Sequence, residues 1–124
     1  MRFTDYFDGV GRAVAFYPNL ARALGSVEAA IFFAQLFYWQ DKTSDEELGV
    51  FKSKEEWQEE TGLGRSEQDR AVKRLEHFGL LTRTHKRLEH RMYYRLDFDA
   101  VNQFWDKYQI HGSDAPPKRR PKAE

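Results

Sequence analysis

Cysteine is absent from the chain, which removes disulfide frameworks, thiolate zinc sites and cysteine nucleophiles together. Net charge is absent as well. The 20 lysines and arginines are matched by 20 aspartates and glutamates, whereas nucleic-acid-binding domains are usually basic overall. No apolar stretch approaches the roughly 20 residues of a membrane helix. The first ten residues carry Asp5 and Asp8 where a secretory signal has a basic and then an apolar run, so a cytoplasmic protein with no membrane contact is expected. The chain also lacks a glycine-rich phosphate loop, a nucleophile elbow and an acid and base pair. Its histidines, His77, His85, His90 and His111, fall at no metal-ligating spacing. The expectation is a protein with no metal, no cofactor and no enzymatic activity.

What the chain does have is 32% charged and 15% aromatic residues in 124, the mixture of a packed globule with a charged surface rather than of a disordered chain. One domain is expected over residues 1–112. A disordered basic tail over 113–124 contains Lys118, Arg119, Arg120 and Lys122. Charge is segregated along the chain. Residues 65–95 hold nine basic against four acidic side chains, and residues 41–60 hold eight acidic against three basic.

Hydrophobic periodicity and stop signals divide the body into short elements. A brief helix over 19–24 ends at Gly25. Ser26 caps a second helix over 27–41 that is apolar on nearly every side, and a helix of that kind is buried on more than one face. It is either the central core helix or a seam for a dimer or partner, with Phe32, Phe33, Phe37 and Trp39 as candidate interface residues. Gly49, Val50 and Phe51 read as a short strand. Ser53 and Glu56 form a capping box that starts a helix running to about Thr61, which Gly62-Leu63-Gly64 breaks.

Ser66 is the expected cap of the next helix, over 67–78. At 100° per residue, Ala71, Val72, Leu75 and Phe78 share one side of it, and Ser66, Arg70, Lys73 and His77 the other. Two strands follow, over 80–84 and 91–98, joined by the polar stretch 85–90. In the second strand Met92, Tyr94, Leu96 and Phe98 alternate with an outward set that includes Tyr93. A last helix over 98–108 would pack Val101, Phe104 and Trp105 on the body. Trp39, Trp57 and Trp105 are expected in the core.

Helix, tight turn, helix and hairpin in that order predict an α+β chain, mainly α with a small β-hairpin wing: a winged helix-turn-helix. The Ser53-x-x-Glu56 start, the Thr61-Gly-Leu63 turn, the Arg70-Ala-x-x-x-Leu75 pattern, the Gly79-Leu-Leu81 exit and the tyrosine-bearing return strand carry a resemblance. Over residues 19–99 the chain resembles winged helix-turn-helix proteins of phage and plasmid replication or regulation, including the amino-terminal modules of DnaD-type primosome proteins. That resemblance implies a DNA-binding helix and wing acting in replication or transcriptional control, and it equally allows a module used for oligomerisation.

The residues carried over as DNA contacts are Arg65, Ser66, Arg70, Lys73 and Arg74. Lys86, Arg87 and Arg91 join them from the wing, since arginine and lysine suit phosphates and guanine edges. The bland alternative for these side chains is a solvated charged face. Glu67 and Asp69, at the start of the same helix, would meet phosphates badly. The rival reading is a protein-interaction module on the same fold, using the acidic 41–60 surface or the aromatic helix over 27–41. A primosome assembly factor or a phage-encoded inhibitor of a host defence complex would be of that kind. Double-stranded DNA, a second copy and a replication or host-defence protein are thus the candidate partners.

Overall fold

Proline suits the first turn of a helix and glycine its left-handed end, and these two residues bound the first helix of the body. The computed structural model describes residues 2–9, 15–43 and 45–111. Among the described residues the architecture is α+β, with six α-helices and one three-stranded antiparallel sheet. The helices are α1 (Phe3–Asp8), α2 (Pro18–Leu24), α3 (Val27–Gln40), α4 (Lys54–Thr61), α5 (Arg65–His77) and α6 (Phe98–His111). The strands are β1 (Val50–Phe51), β2 (Leu81–Lys86) and β3 (Arg91–Leu96), and a 3-10 turn, Arg87–Glu89, joins the last two. The tail expected over 113–124 lies outside the described residues. No single helix among those described is long and apolar enough to cross a membrane.

α3 is the central helix. Ser26 accepts a hydrogen bond from the Ala29 N–H at 3.0 Å to start it, and α2, α4, α5, β1 and β3 all pack around it. Its Ala29, Ala30, Phe32, Phe33 and Leu36 are buried against Leu24, Val72, Leu75, Leu80 and Leu96. The ring of Phe32 stacks on Trp57 at 4.3 Å, and Tyr94 closes edge-on against both. This corrects the interface expectation for Phe32 and Phe33, which a domain of this size needs as its own core. Phe37 alone of the four is exposed, at 49%. Trp39 is partly buried and committed to an internal hydrogen bond.

β3 is the middle strand, in the order β1-β3-β2. It pairs with β2 from Leu81↔Leu96 to Lys86↔Arg91, and with β1 at Val50↔Tyr94 and Phe51↔Tyr93. Gly49 makes the β1 pairing possible: its φ is +96°, and a Cβ there would sit 2.3 Å from the Tyr94 carbonyl oxygen. Tyr93, expected to face outward, is buried, because its register partner Phe51 covers it at 5.8 Å between ring centroids. Strand character stops at Leu96 rather than Phe98. Asp97 turns the chain by accepting the Ala100 N–H at 3.1 Å, which caps α6. α6 then lays Phe104 on Phe78 at 4.9 Å, while Trp105 stacks on Tyr108 and is half-buried.

One carboxylate ties three segments together. Glu60 of α4 accepts hydrogen bonds from Gln35 and Trp39 of α3, both at 2.7 Å, and from Lys52 at 2.6 Å. Lys52 is buried and lies over the Trp39 ring at 4.1 Å. Burial alone would raise the Glu60 pKa, but the hydrogen bonds from Lys52, Gln35 and Trp39 and the Lys52 charge together hold it below 4.5.

Two expectations follow for stability. Leu75→Ala, at a fully buried site, should cost about 2–5 kcal/mol, and Lys73→Ala, on the exposed side of the same helix, should stay within about 0.5 kcal/mol. Urea unfolding measures both, and equal losses would mean that the helix faces are misassigned. Glu60→Gln should cost about 1–3 kcal/mol at neutral pH, the worth of hydrogen bonds to a charged group. A depressed carboxylate contributes fully above its unfolded value and loses that contribution as pH falls through its folded value. The gap between wild type and Glu60→Gln in urea should therefore be full at pH 6 and shrink below about pH 4.5.

Candidate nucleic-acid interface

The orientation of α5 is set by the turn that precedes it. Gly62 takes a left-handed conformation at φ +78°, which L side chains rarely adopt, and its N–H donates to the Gln58 carbonyl at 2.8 Å. The Thr61 hydroxyl donates to the Trp57 carbonyl and accepts the Leu63 N–H, so the turn is closed by its own side chain. Leu63 plugs the core. From inside α5 the fully buried Gln68 reaches back, and its Nε2 donates to the carbonyls of Lys54 at 3.0 Å and Leu63 at 2.9 Å. One amide thereby fixes the start of α4, the turn and α5 in a single arrangement.

Gly64, not Ser66, is the residue before the first turn of α5, and its N–H donates to Glu67 at 2.9 Å. Ser66 is an exposed residue within that turn. The helix thus starts two residues earlier than expected, and Glu67, three residues on, accepts the Gly64 N–H as the carboxylate half of a capping box. Glu67 is therefore occupied with the backbone. Asp69 is occupied as well: Lys54 donates to it at 2.5 Å, and this hydrogen bond leads the causes that hold its carboxyl below the usual aspartate value. Glu76 forms a two-pronged pair with Arg83 of β2, both contacts at 3.0 Å, which braces the hairpin against α5.

The basic side chains divide into paired and unpaired. Arg65 is held by Glu55 of α4. Arg70 is clamped by Glu28 at the start of α3, through Nε at 3.2 Å and Nη2 at 2.9 Å, and the Glu28 hydrogen bond and charge raise its pKa. This corrects the expectation of Arg70 as a free contact, since its planar fork is already engaged by a carboxylate. Arg95 donates to the Glu46 carbonyl at 3.0 Å.

Lys73 and Arg74 are exposed on α5 and make no ion pair among the described residues. With Arg70 and His77 they line a shallow cleft of about 650 Å³ against Ser26 and Glu28. Lys86 and Arg87 are exposed and unpaired in the same sense, and Arg91 lies over the Phe51 ring at 4.8 Å. Of the four carboxylates over 65–95, Glu89 alone has no partner among the described residues. Gln68, Glu28 and Glu76 shape this surface and were not picked out from the sequence. Glu67 three residues after Gly64 was a signal available there.

Replacing Gln68 by Met, which keeps bulk but removes both donors, should cost about 1–3 kcal/mol because two carbonyls lose their partner. Ser66→Ala should stay within about 0.5 kcal/mol, whereas loss of a capping serine costs about 1 kcal/mol. Urea midpoints of the two variants check the turn geometry directly.

Comparison with family models, with curated proteins and with solved structures finds no match to this chain.

Proposed function

We propose that the chain is a non-enzymatic DNA-binding protein of winged helix-turn-helix type, acting in the replication or transcription of a phage or mobile element inside the cell. α4 and α5 are the helix-turn-helix pair, α5 is the helix that enters the major groove, and the β2-β3 hairpin is the wing that follows the flanking backbone. The observation that supports this reading most is the fate of the carboxylates. Glu67, Asp69 and Glu76 are each drawn into a cap or an ion pair, which leaves Lys73, Arg74, Lys86, Arg87, Arg91 and Arg95 without an acidic partner against the one unpaired acid Glu89 among the described residues. The neutral whole molecule thus carries a locally cationic helix and hairpin, and phosphate contacts depend on that local charge.

A second reading is favoured by a different feature. An apolar groove of about 600 Å³ between α2 and α3 is lined by Tyr17, Leu20, Phe33, Phe37 and Tyr38, and Phe37 stays exposed there. A groove of this kind would serve a protein partner or a second copy, as in an assembly or inhibitor module.

Wild-type protein should bind duplex DNA near 50 mM salt and weaken steeply as salt rises. Lys73→Ala with Arg74→Ala should cost about 1–3 kcal/mol on a preferred site and blur base preference. Lys86→Ala with Arg87→Ala should weaken all duplexes alike and flatten the slope of log affinity against log salt by about 0.9 per contact removed. Fluorescence anisotropy over a salt series measures both. Salt-independent or absent binding would remove the DNA reading and leave the partner groove in its place.

A further inference from the structure

The tip of the hairpin is narrow and fixed. β2 and β3 stay in register to their last pair, Lys86↔Arg91, so the connection is one 3-10 turn and His90. The His90 N–H donates to the Arg87 carbonyl at 3.2 Å, and His90 itself is left-handed at φ 54°, a conformation uncommon outside glycine. This geometry projects Leu88 into solvent. At 99% exposure it is the barest large hydrophobic side chain among the described residues. Around it stand His85, Lys86, Arg87, His90 and Arg91 against the single acid Glu89.

An apolar point within a cationic ring fits a target with an anionic rim and an apolar interior. Stacked base pairs beneath two phosphate backbones have that construction, and minor-groove proteins use apolar wedges to part a base step. A two-stranded ribbon cannot enter a groove about 6 Å wide, but one side chain at its tip can. An anionic bilayer has the same polarity profile, yet a lone leucine offers too little apolar area to hold a protein there, which ordinarily takes the face of a helix or an acyl chain. The Glu76 and Arg83 pair, which braces this hairpin to α5, also favours DNA, because it couples the tip to the helix with unpaired cations.

We propose that Leu88 is a wedge that inserts into a base step of duplex DNA from the minor groove, with Lys86, Arg87 and Arg91 seated on the flanking phosphates. The proposal rests on the DNA reading and deepens it, adding a kink at the wing to the contact in the major groove. Pyrimidine-purine steps, which unstack most readily, are the preferred positions.

The test uses full-length protein and duplexes carrying 2-aminopurine beside a pyrimidine-purine step, with donor and acceptor dyes at the ends. Wild type should raise the 2-aminopurine fluorescence and shorten the end-to-end distance. Leu88→Ala should abolish both signals, leave the salt slope unchanged and lower affinity by no more than about tenfold, since the gain from burying the side chain is offset by unstacking. Leu88→Lys should likewise lose the fluorescence change while binding at least as tightly. Both variants should keep the wild-type urea midpoint, because the side chain touches nothing it could destabilise.

Salt-dependent binding by wild type with no change in either optical signal, or signals that persist in Leu88→Ala, would overturn the wedge and leave the DNA reading standing. Absence of salt-dependent binding would overturn both. Binding to phosphatidylcholine vesicles containing phosphatidylserine that Leu88→Ala abolishes, with DNA binding unaffected, would overturn the wedge in favour of a lipid surface.

Discussion

The Glu60 carboxylate is the contact on which the arrangement of this small body depends. It gathers donors from Gln35, Trp39 and Lys52, and so joins the central helix, the approach to α4 and α4 itself. The apolar core around Phe32 and Trp57 supplies attraction but little direction, since dispersion and hydrophobic burial are nearly isotropic. Three hydrogen bonds converging on one anion are directional, and they lock the pitch of α4 on α3. The position of α5 follows, because Gln68 ties it to the start of α4 and to the turn. Any function of α5 and the hairpin therefore rests on the ion cluster at Glu60.

Electrostatics at the surface obeys a local rule. The count of nine basic and four acidic residues over 65–95 says nothing of which charges are spent within the molecule. Arg65 at the start of α5 and Arg70 one turn on go to Glu55 and Glu28, whereas Lys73, Arg74 and the cations at the hairpin tip meet no acid among the described residues. The acids of α5 are engaged by a cap, a neighbouring helix and a neighbouring strand. A segment with modest net charge is by this means sorted into a neutralised base and a cationic outer edge.

Most local signals in the sequence hold, although Gly64 with Glu67, rather than Ser66, begins α5. Ser26 and the Ser53 to Glu56 box cap helices as expected, and the angular sorting of Ala71, Val72 and Leu75 onto the buried side of α5 holds. The expectations for Arg70 and Tyr93 were overturned where a distant residue decides. Glu28 reaches Arg70 from 42 residues away, a pairing that no window along the chain contains. Tyr93 lies on the side of β3 that alternation assigns to it, yet Phe51 covers that side. The all-round apolar character of α3 left open a core or a seam. The packing of five elements around it resolves Phe32 and Phe33 into the core and leaves Phe37 at the rim of a groove.

The last residue of α3 has a consequence for how copies of this chain behave in a crowd. β1 is only two residues long, so among the described residues the flank of β3 is left without a strand partner beyond Tyr94. Gln40 fills the gap: its side-chain amide donates to the Leu96 carbonyl at 2.9 Å and accepts the Leu96 N–H at 2.6 Å, the same pair of bonds that a neighbouring strand would make. Unpaired strand flanks are templates for edge-to-edge aggregation. A helix side chain standing in for the missing strand shortens that template without adding residues to the sheet, and it ties the solubility of the protein to the rotational setting of its central helix.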